Sequence, residues 1–149
     1  MMVIAFMPLI LIIFLIIASL YDLLNDMTIP LPVGIIGVCI RMVELITLES
    51  GKLKESITAA LILFFIFGVG AVLGAYGGAD IIFASMVGFY LGMDGIIAVG
   101  ISCILSLPYA IYIKKKKERT SQFPFVPYLL LASAIIVTLH FALGGSVWY

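Results

Sequence analysis

Residues 57–73, ITAALILFFIFGVGAVL, followed by Gly77-Gly78-Ala79-Asp80, form the stretch that decides the fold. The first part has no charged residue and is close to the length of ~20 mostly apolar residues that a helix needs to cross a bilayer. The second part is a tract of small residues ending in a carboxylate, and another apolar run follows at once. A carboxylate at membrane depth is costly, so it marks a candidate functional position. Working outward, a second acid of this kind stands in Leu20-Tyr21-Asp22, at the end of the first apolar run.

The remainder of the chain has the same character. Of its 149 residues, 64% are hydrophobic and 11% charged, and the mean hydropathy is +1.32. Soluble domains carry about 45–50% apolar and about 25% charged residues. The composition therefore predicts an all-α integral membrane protein and argues against a nucleic-acid-binding role. Six candidate spans can be marked, at Met2–Leu20, Leu31–Leu48, Ile57–Leu73, Ala79–Met93, Ile96–Ile113 and Phe125–Leu143. Pro30 and Pro32, Glu49-Ser50-Gly51-Lys52, Gly77-Gly78, Asp94-Gly95, Pro124 and Pro127 punctuate them. The length suits one polytopic bundle, residues 1–149, with no separate soluble domain. The first run lacks the basic start and small-residue cleavage site of a secretory signal.

The net charge of zero hides a local cluster, Lys114-Lys115-Lys116-Lys117-Glu118-Arg119. The positive-inside bias places this cluster in the cytoplasm, where anionic lipid is a natural contact. Counting back through alternating spans puts Asp22 and Asp80 together on the cytoplasmic side and both termini outside, with Trp148 and Tyr149 as interfacial anchors. The Ala79–Met93 run is short: at 1.5 Å per residue it reaches ~22 Å of a ~30 Å hydrocarbon core.

Two carboxylates at one depth can hydrolyse a peptide bond if they share a water and hold different charge states. The ionised one takes a proton from the water, and the neutral one hydrogen-bonds the scissile carbonyl. Gly77, Gly78 and Ala79 have two readings beside them. Small residues let a substrate backbone approach closely, and they also serve helix packing in membranes. Asp26, four residues after Asp22, shares a face with it on a continuing helix and could be part of the acid site, the acid of this segment in place of Asp22, or a solvated loop carboxylate. Arg41 and Glu44 fit an internal ion pair or side chains snorkelling outward. Cys39 and Cys103 lie in apolar runs without CxxC spacing and read as small buried hydrophobes, so no metal or cofactor is expected. His140 falls far from both acids and receives no catalytic part.

In order along the chain, Tyr21-Asp22 with Ile29-Pro30, Gly77-Gly78-Ala79-Asp80, and Phe123-Pro124-Phe125-Val126-Pro127-Tyr128-Leu129 resemble the type IV prepilin peptidase family, which includes the archaeal preflagellin peptidases. The resemblance covers essentially the whole chain. It implies a membrane aspartic endopeptidase that removes short basic leaders from pilin-like or flagellin-like precursors at the cytoplasmic face. By position, Asp22 and Asp80 would be the catalytic pair, with Gly77, Gly78, Ala79 and Asp26 on the substrate side. Three departures bear on substrate preference. Ala79 stands for the pattern's second glycine, Leu31 for the usual asparagine after Ile-Pro, and Ile81-Ile82-Phe83 lacks the basic residue often found there. No counterpart of the paired cysteines of larger relatives is present, so the resemblance implies peptidase activity without methyl transfer.

Two other functions compete. Paired intramembrane carboxylates also form proton or cation relays in transporters, although no inverted repeat of broken helices is visible. The Tyr-Asp and Gly-rich Asp strings are also similar to those of presenilin-like intramembrane proteases, but the Pro-Ala-Leu motif of that family is absent.

Overall fold

The computed structural model describes residues 2–24, 31–47, 50–74, 76–116 and 124–142, and the ordered elements within them are all helical. The elements are α1 (Met2–Leu24), α2 (Leu31–Thr47), a 3-10 turn at Ser50–Lys52, α3 (Leu53–Val72), α4 (Gly78–Leu91), α5 (Met93–Lys116) and α6 (Val126–Ala142). Each expected apolar run corresponds to one helix, with ends shifted by a few residues. Two helical stretches, Leu53–Val72 and Met93–Tyr112, are long and apolar enough to cross a membrane. Pro8–Leu24, Gly78–Leu91 and Val126–Ala142 are apolar but shorter.

The hub is α4, which packs against all five other helices and most extensively against α3. Its 14 residues are largely buried, with Phe83, Ala84, Met86, Val87, Gly88, Phe89 and Tyr90 all in the interior. Burial on every side explains why α4 shows no apolar stripe in its sequence. Around it, helices approach through small residues. A Cβ placed on Gly34 of α2 would meet the Ile82 side chain at 2.7 Å, and one on Gly37 would meet Met86 Sδ at 2.7 Å. On the α3 side, a Cβ on Gly88 would meet the backbone of Ala59 at 3.0 Å. On the α5 side, a Cβ on Gly95 would meet Gly88 Cα and the Val87 carbonyl oxygen, each at 2.7 Å.

A single residue separates α4 from α5. Gly92 turns the chain with φ +59° and ψ −135°, a conformation that L side chains rarely adopt. Its N–H donates to the Gly88 carbonyl at 2.8 Å. Glu55 of α3 lies beneath the turn and accepts a hydrogen bond from the Met93 N–H at 3.3 Å. The other end of α3 closes at Gly74 (φ +74°), whose N–H reaches the Ala71 carbonyl.

Arg41 and Glu44 form a buried ion pair, each about 5% exposed, rather than side chains reaching outward. Arg41 also donates to the Phe89 and Tyr90 carbonyls at 3.4 Å each and stacks 5.7 Å from the centre of the Tyr90 ring. It thereby caps carbonyls in the last turn of α4, which have no partner within the helix. The Tyr90 hydroxyl donates to the Gly37 carbonyl at 2.8 Å, closing the α2–α4 contact.

Cys39 corrects one expectation: it is exposed on α2, and Cys103 is only partly buried. When every face of a helix is apolar, composition cannot say which face turns inward. Large apolar side chains also cover the outer surface, including Leu24, Phe65, Val72 and Leu73, each at least 65% exposed.

Two outcomes follow for stability. Gly95→Ala sets a methyl group against backbone that cannot swing away, so it should cost about 1–3 kcal/mol. Gly100→Ala, where a Cβ meets nothing within 4 Å, should be neutral or slightly stabilising. Thermal midpoints of the two purified variants decide this, and equal midpoints would refute the close contact. Arg41→Met should destabilise by about 3–5 kcal/mol, because it strands the buried Glu44. Adding Glu44→Leu should recover much of the loss, and a double variant no better than the single would rule out ion pairing as the reason.

Candidate active site

Asp22 lies in the last turn of α1 and Asp80 is the third residue of α4; both are buried, at 5% and 8% exposure. A buried carboxylate needs donors, and each of these finds a backbone N–H at a helix start. Asp80 reaches back over the first turn of α4 and accepts from the Gly77 N–H at 2.8 Å through Oδ2. This is the carboxylate arm of a capping box, with glycine at the N-cap. Asp22 accepts from the N–H of Val126, the first residue of α6. Its Oδ2 is buried and has no hydrogen-bond partner among the described residues. The two carboxylates are close enough for Asp80 to feel the charge of Asp22. The end of α1 and the starts of α4 and α6 therefore meet at one end of the bundle.

Among the described residues, nothing packs tightly on Gly77 or Gly78. A Cβ on Gly78 would meet nothing within 4 Å, and one on Gly77 would meet only Asp80 Oδ2, at 3.5 Å. Gly77 is extended, with φ −86° and ψ 163°, and neither residue has positive φ. Among the described residues, neither sterics nor backbone conformation calls for glycine at these positions. Among the described residues no helix comes close at 77 or 78, whereas Gly88 and Gly95 do serve close helix approach. Ala79 is partly exposed beside them. Asp26 and the Ile29-Pro30 pair lie outside the described residues, as do Phe123, the basic residues after Lys116, Trp148 and Tyr149.

An aromatic group next to the acids has no counterpart in the sequence reading. The Tyr76 ring lies 4.5 Å from the Phe67 ring and 5.5 Å from the Phe125 ring, centre to centre, and Phe67 and Phe125 are 5.3 Å apart. The Tyr76 hydroxyl is 3.7 Å from Cys103 Sγ. Burial, then the bond to Cys103, then the charges of Cys103 and Asp80 push the Tyr76 phenol up to about 12, so it keeps its proton at neutral pH. Phe125 sits inside the Pro-Phe-Val-Pro string and Tyr76 immediately precedes the glycine tract. Their adjacency in sequence to Val126 and Gly77 was available, but their meeting in space was not.

His140 is near the opposite end, where its charge reaches Asp94, and so stands apart from the acid pair.

Comparison with known proteins bears on this site directly. The type IV leader peptidase family model matches residues 9–112, a stretch that contains Asp22, Asp80 and the whole Gly77–Asp80 tract. Neither the curated proteins nor the solved structures provide a match. With well over half of its length matched, from α1 into α5, the chain belongs to the type IV leader peptidase family.

Proposed function

We propose that this peptidase is a membrane aspartic endopeptidase that removes short basic leaders from type IV pilin-like or flagellin-like precursors at the cytoplasmic face. The observation that carries the reading is the pair Asp22 and Asp80: buried, within electrostatic reach, and each held by one backbone N–H. Two neighbouring carboxylates repel when both are ionised, and the reaction needs one ionised and one neutral. In the reaction, the ionised member takes a proton from water while the water oxygen bonds to the scissile carbonyl carbon. The protonated member donates its proton to the carbonyl oxygen. Collapse of the tetrahedral species returns that proton, breaks the C–N bond, and transfers a proton to the leaving amine. Asp22 Oδ2, with no protein partner among the described residues, is the oxygen left to accept from water.

The open side of Gly77 and Gly78 supports a substrate role for the tract. An extended precursor backbone can come within contact distance there, next to the acid that Gly77 itself holds. Asp26 follows Asp22 closely and supplies negative charge for a basic leader. The family match favours this reading over an ion relay or a presenilin-like protease.

A six-span arrangement belongs to the same proposal. Side chains such as Val72 at 88% and Leu73 at 78% exposure would form a very large apolar surface in water. Lipid is the solvent in which that surface is at low free energy. If the lysine run after Tyr112 is cytoplasmic, six alternating spans would bring the acid pair to that same side.

Asp22→Asn and Asp80→Asn should each reduce processing at least ~10³-fold while leaving the protein inserted and folded. Cleavage is read as the mobility shift of a co-expressed precursor bearing a Lys/Arg-rich leader ahead of an apolar helix. Retained cleavage in both variants would sink the aspartic mechanism, and a wild-type chain that cuts no pilin-like or flagellin-like precursor would sink the substrate class. For the orientation, reporter fusions after Lys117 and after Tyr149 should report cytoplasm and exterior respectively. The reverse pattern would put the acids on the wrong side for leader removal.

A further inference from the structure

Each carboxylate is held by a backbone N–H, and the residue just before each donor is aromatic. Tyr76 precedes Gly77, which donates to Asp80; Phe125 precedes Val126, which donates to Asp22. These two rings touch, with centres 5.5 Å apart, and both rest on Phe67 of α3. The start of α4 and the start of α6 are thus joined through a ring contact one residue away from the two hydrogen bonds that hold the acids. We infer that Tyr76 and Phe125, seated on Phe67, form a clasp that sets the separation of Asp22 and Asp80, making them positioning residues for peptide-bond cleavage. The inference rests on the assignment of Asp22 and Asp80 as the catalytic pair.

The physical case is one of constraint. The loop between α3 and α4 leaves Gly74 with a left-handed turn and reaches Gly77 only three residues later. A short loop whose glycines impose no side-chain packing has little else to fix the Gly77 N–H. Tyr76 provides that anchor by four contacts: the Phe67 ring, the Phe125 ring, the face of α3 at Gly70, and the hydroxyl bond to Cys103 of α5. The Gly70 seat is tight, since a Cβ there would lie 2.6 Å from Tyr76 Cδ2 and 3.1 Å from Cε2. The first turn of α6 is fixed in the same way, with Phe125 and Val126 both fully buried. Displacing one ring shifts one backbone donor relative to the other, and with it one carboxylate relative to the other. Misplacement of reacting groups by about 1 Å can cost on the order of 100-fold in rate.

Gly70→Ala tests this without touching either acid or removing a ring. The nearest atoms to the new methyl group all belong to Tyr76, and alanine is the better helix former. Gly68→Ala, two residues earlier on α3 with open space around it, is the control. In a Cys39→Ser background Cys103 is the one remaining thiol, so its alkylation rate reports whether Tyr76 has moved. The expected result for Gly70→Ala is several-fold faster Cys103 alkylation and kcat lowered by ~10–100-fold, with KM for the basic-leader precursor within ~2-fold. Gly68→Ala should match wild type in all three. Tyr76→Leu should lower kcat as Gly70→Ala does, and Tyr76→Phe, which keeps the ring, should restore most of it. Wild-type kcat in Gly70→Ala, or a loss confined to KM, overturns the clasp, as does unchanged Cys103 alkylation. Asp22→Asn is run alongside: if it is inactive while Gly70→Ala is fully active, only the clasp falls, and if it is active the catalytic assignment falls with it.

Discussion

A carboxylate taken out of water must be met by hydrogen-bond donors, and a bundle built almost wholly of apolar side chains has few to give. What it does have are the backbone N–H groups of the first helical turn, which lack partners within their own helix. Asp80 takes one from the N-cap of its own helix, and Asp22 takes one from the start of α6. The rest of the arrangement depends on this. The last turn of α1 has to meet the first turns of α4 and α6, so these three termini share an end of the bundle. The positive pole of a helix start also favours negative charge beside it. An acid pair can therefore be held there without a basic side chain beside it among the described residues.

The opposite end of α4 solves the complementary problem. Its last carbonyls face a buried region and receive the Arg41 guanidinium, which Glu44 neutralises. The helix thus carries a carboxylate at its start and a guanidinium at its end, in the sense that its dipole favours at both. Between the two, glycines at 34, 37, 88 and 95 bring neighbouring helices close enough for dense packing. The shortness of α4 is part of the same design: 14 residues at 1.5 Å each separate the two polar clusters by only ~21 Å.

The sequence made the helices legible because apolar runs broken by Gly, Pro and charge have few other readings. Leu53–Val72 and Met93–Lys116 came out longer than the runs that announced them, since Glu55 and the lysines at 114–116 continue a helix without being apolar. Asp22 and Asp80 were legible as isolated charges in apolar context. The partners of those acids were not. Val126 holds Asp22 through its backbone, and a main-chain donor leaves no mark in residue type. Tyr76, Phe67 and Phe125 are ordinary aromatics in a chain rich in them, and only the folded arrangement shows the three rings together. The exposure of Cys39 was hidden for a related reason, because periodicity carries no signal when both faces of a helix are apolar.

The family match ends at residue 112, inside α5, while the donor to Asp22 comes from residue 126. The two acids within the matched stretch therefore depend on chain beyond it for their surroundings. Asp22 without Val126 would be a buried carboxylate with one oxygen already unpartnered and the other stripped of its N–H, a costly state that protonation or hydration would relieve. Pro124, Phe125 and Val126 are all buried at the start of α6, where Phe125 packs on Phe67 and Tyr76. Under the proposed function the acids would supply the reacting groups, and the helix starts beside them would set where those groups stand.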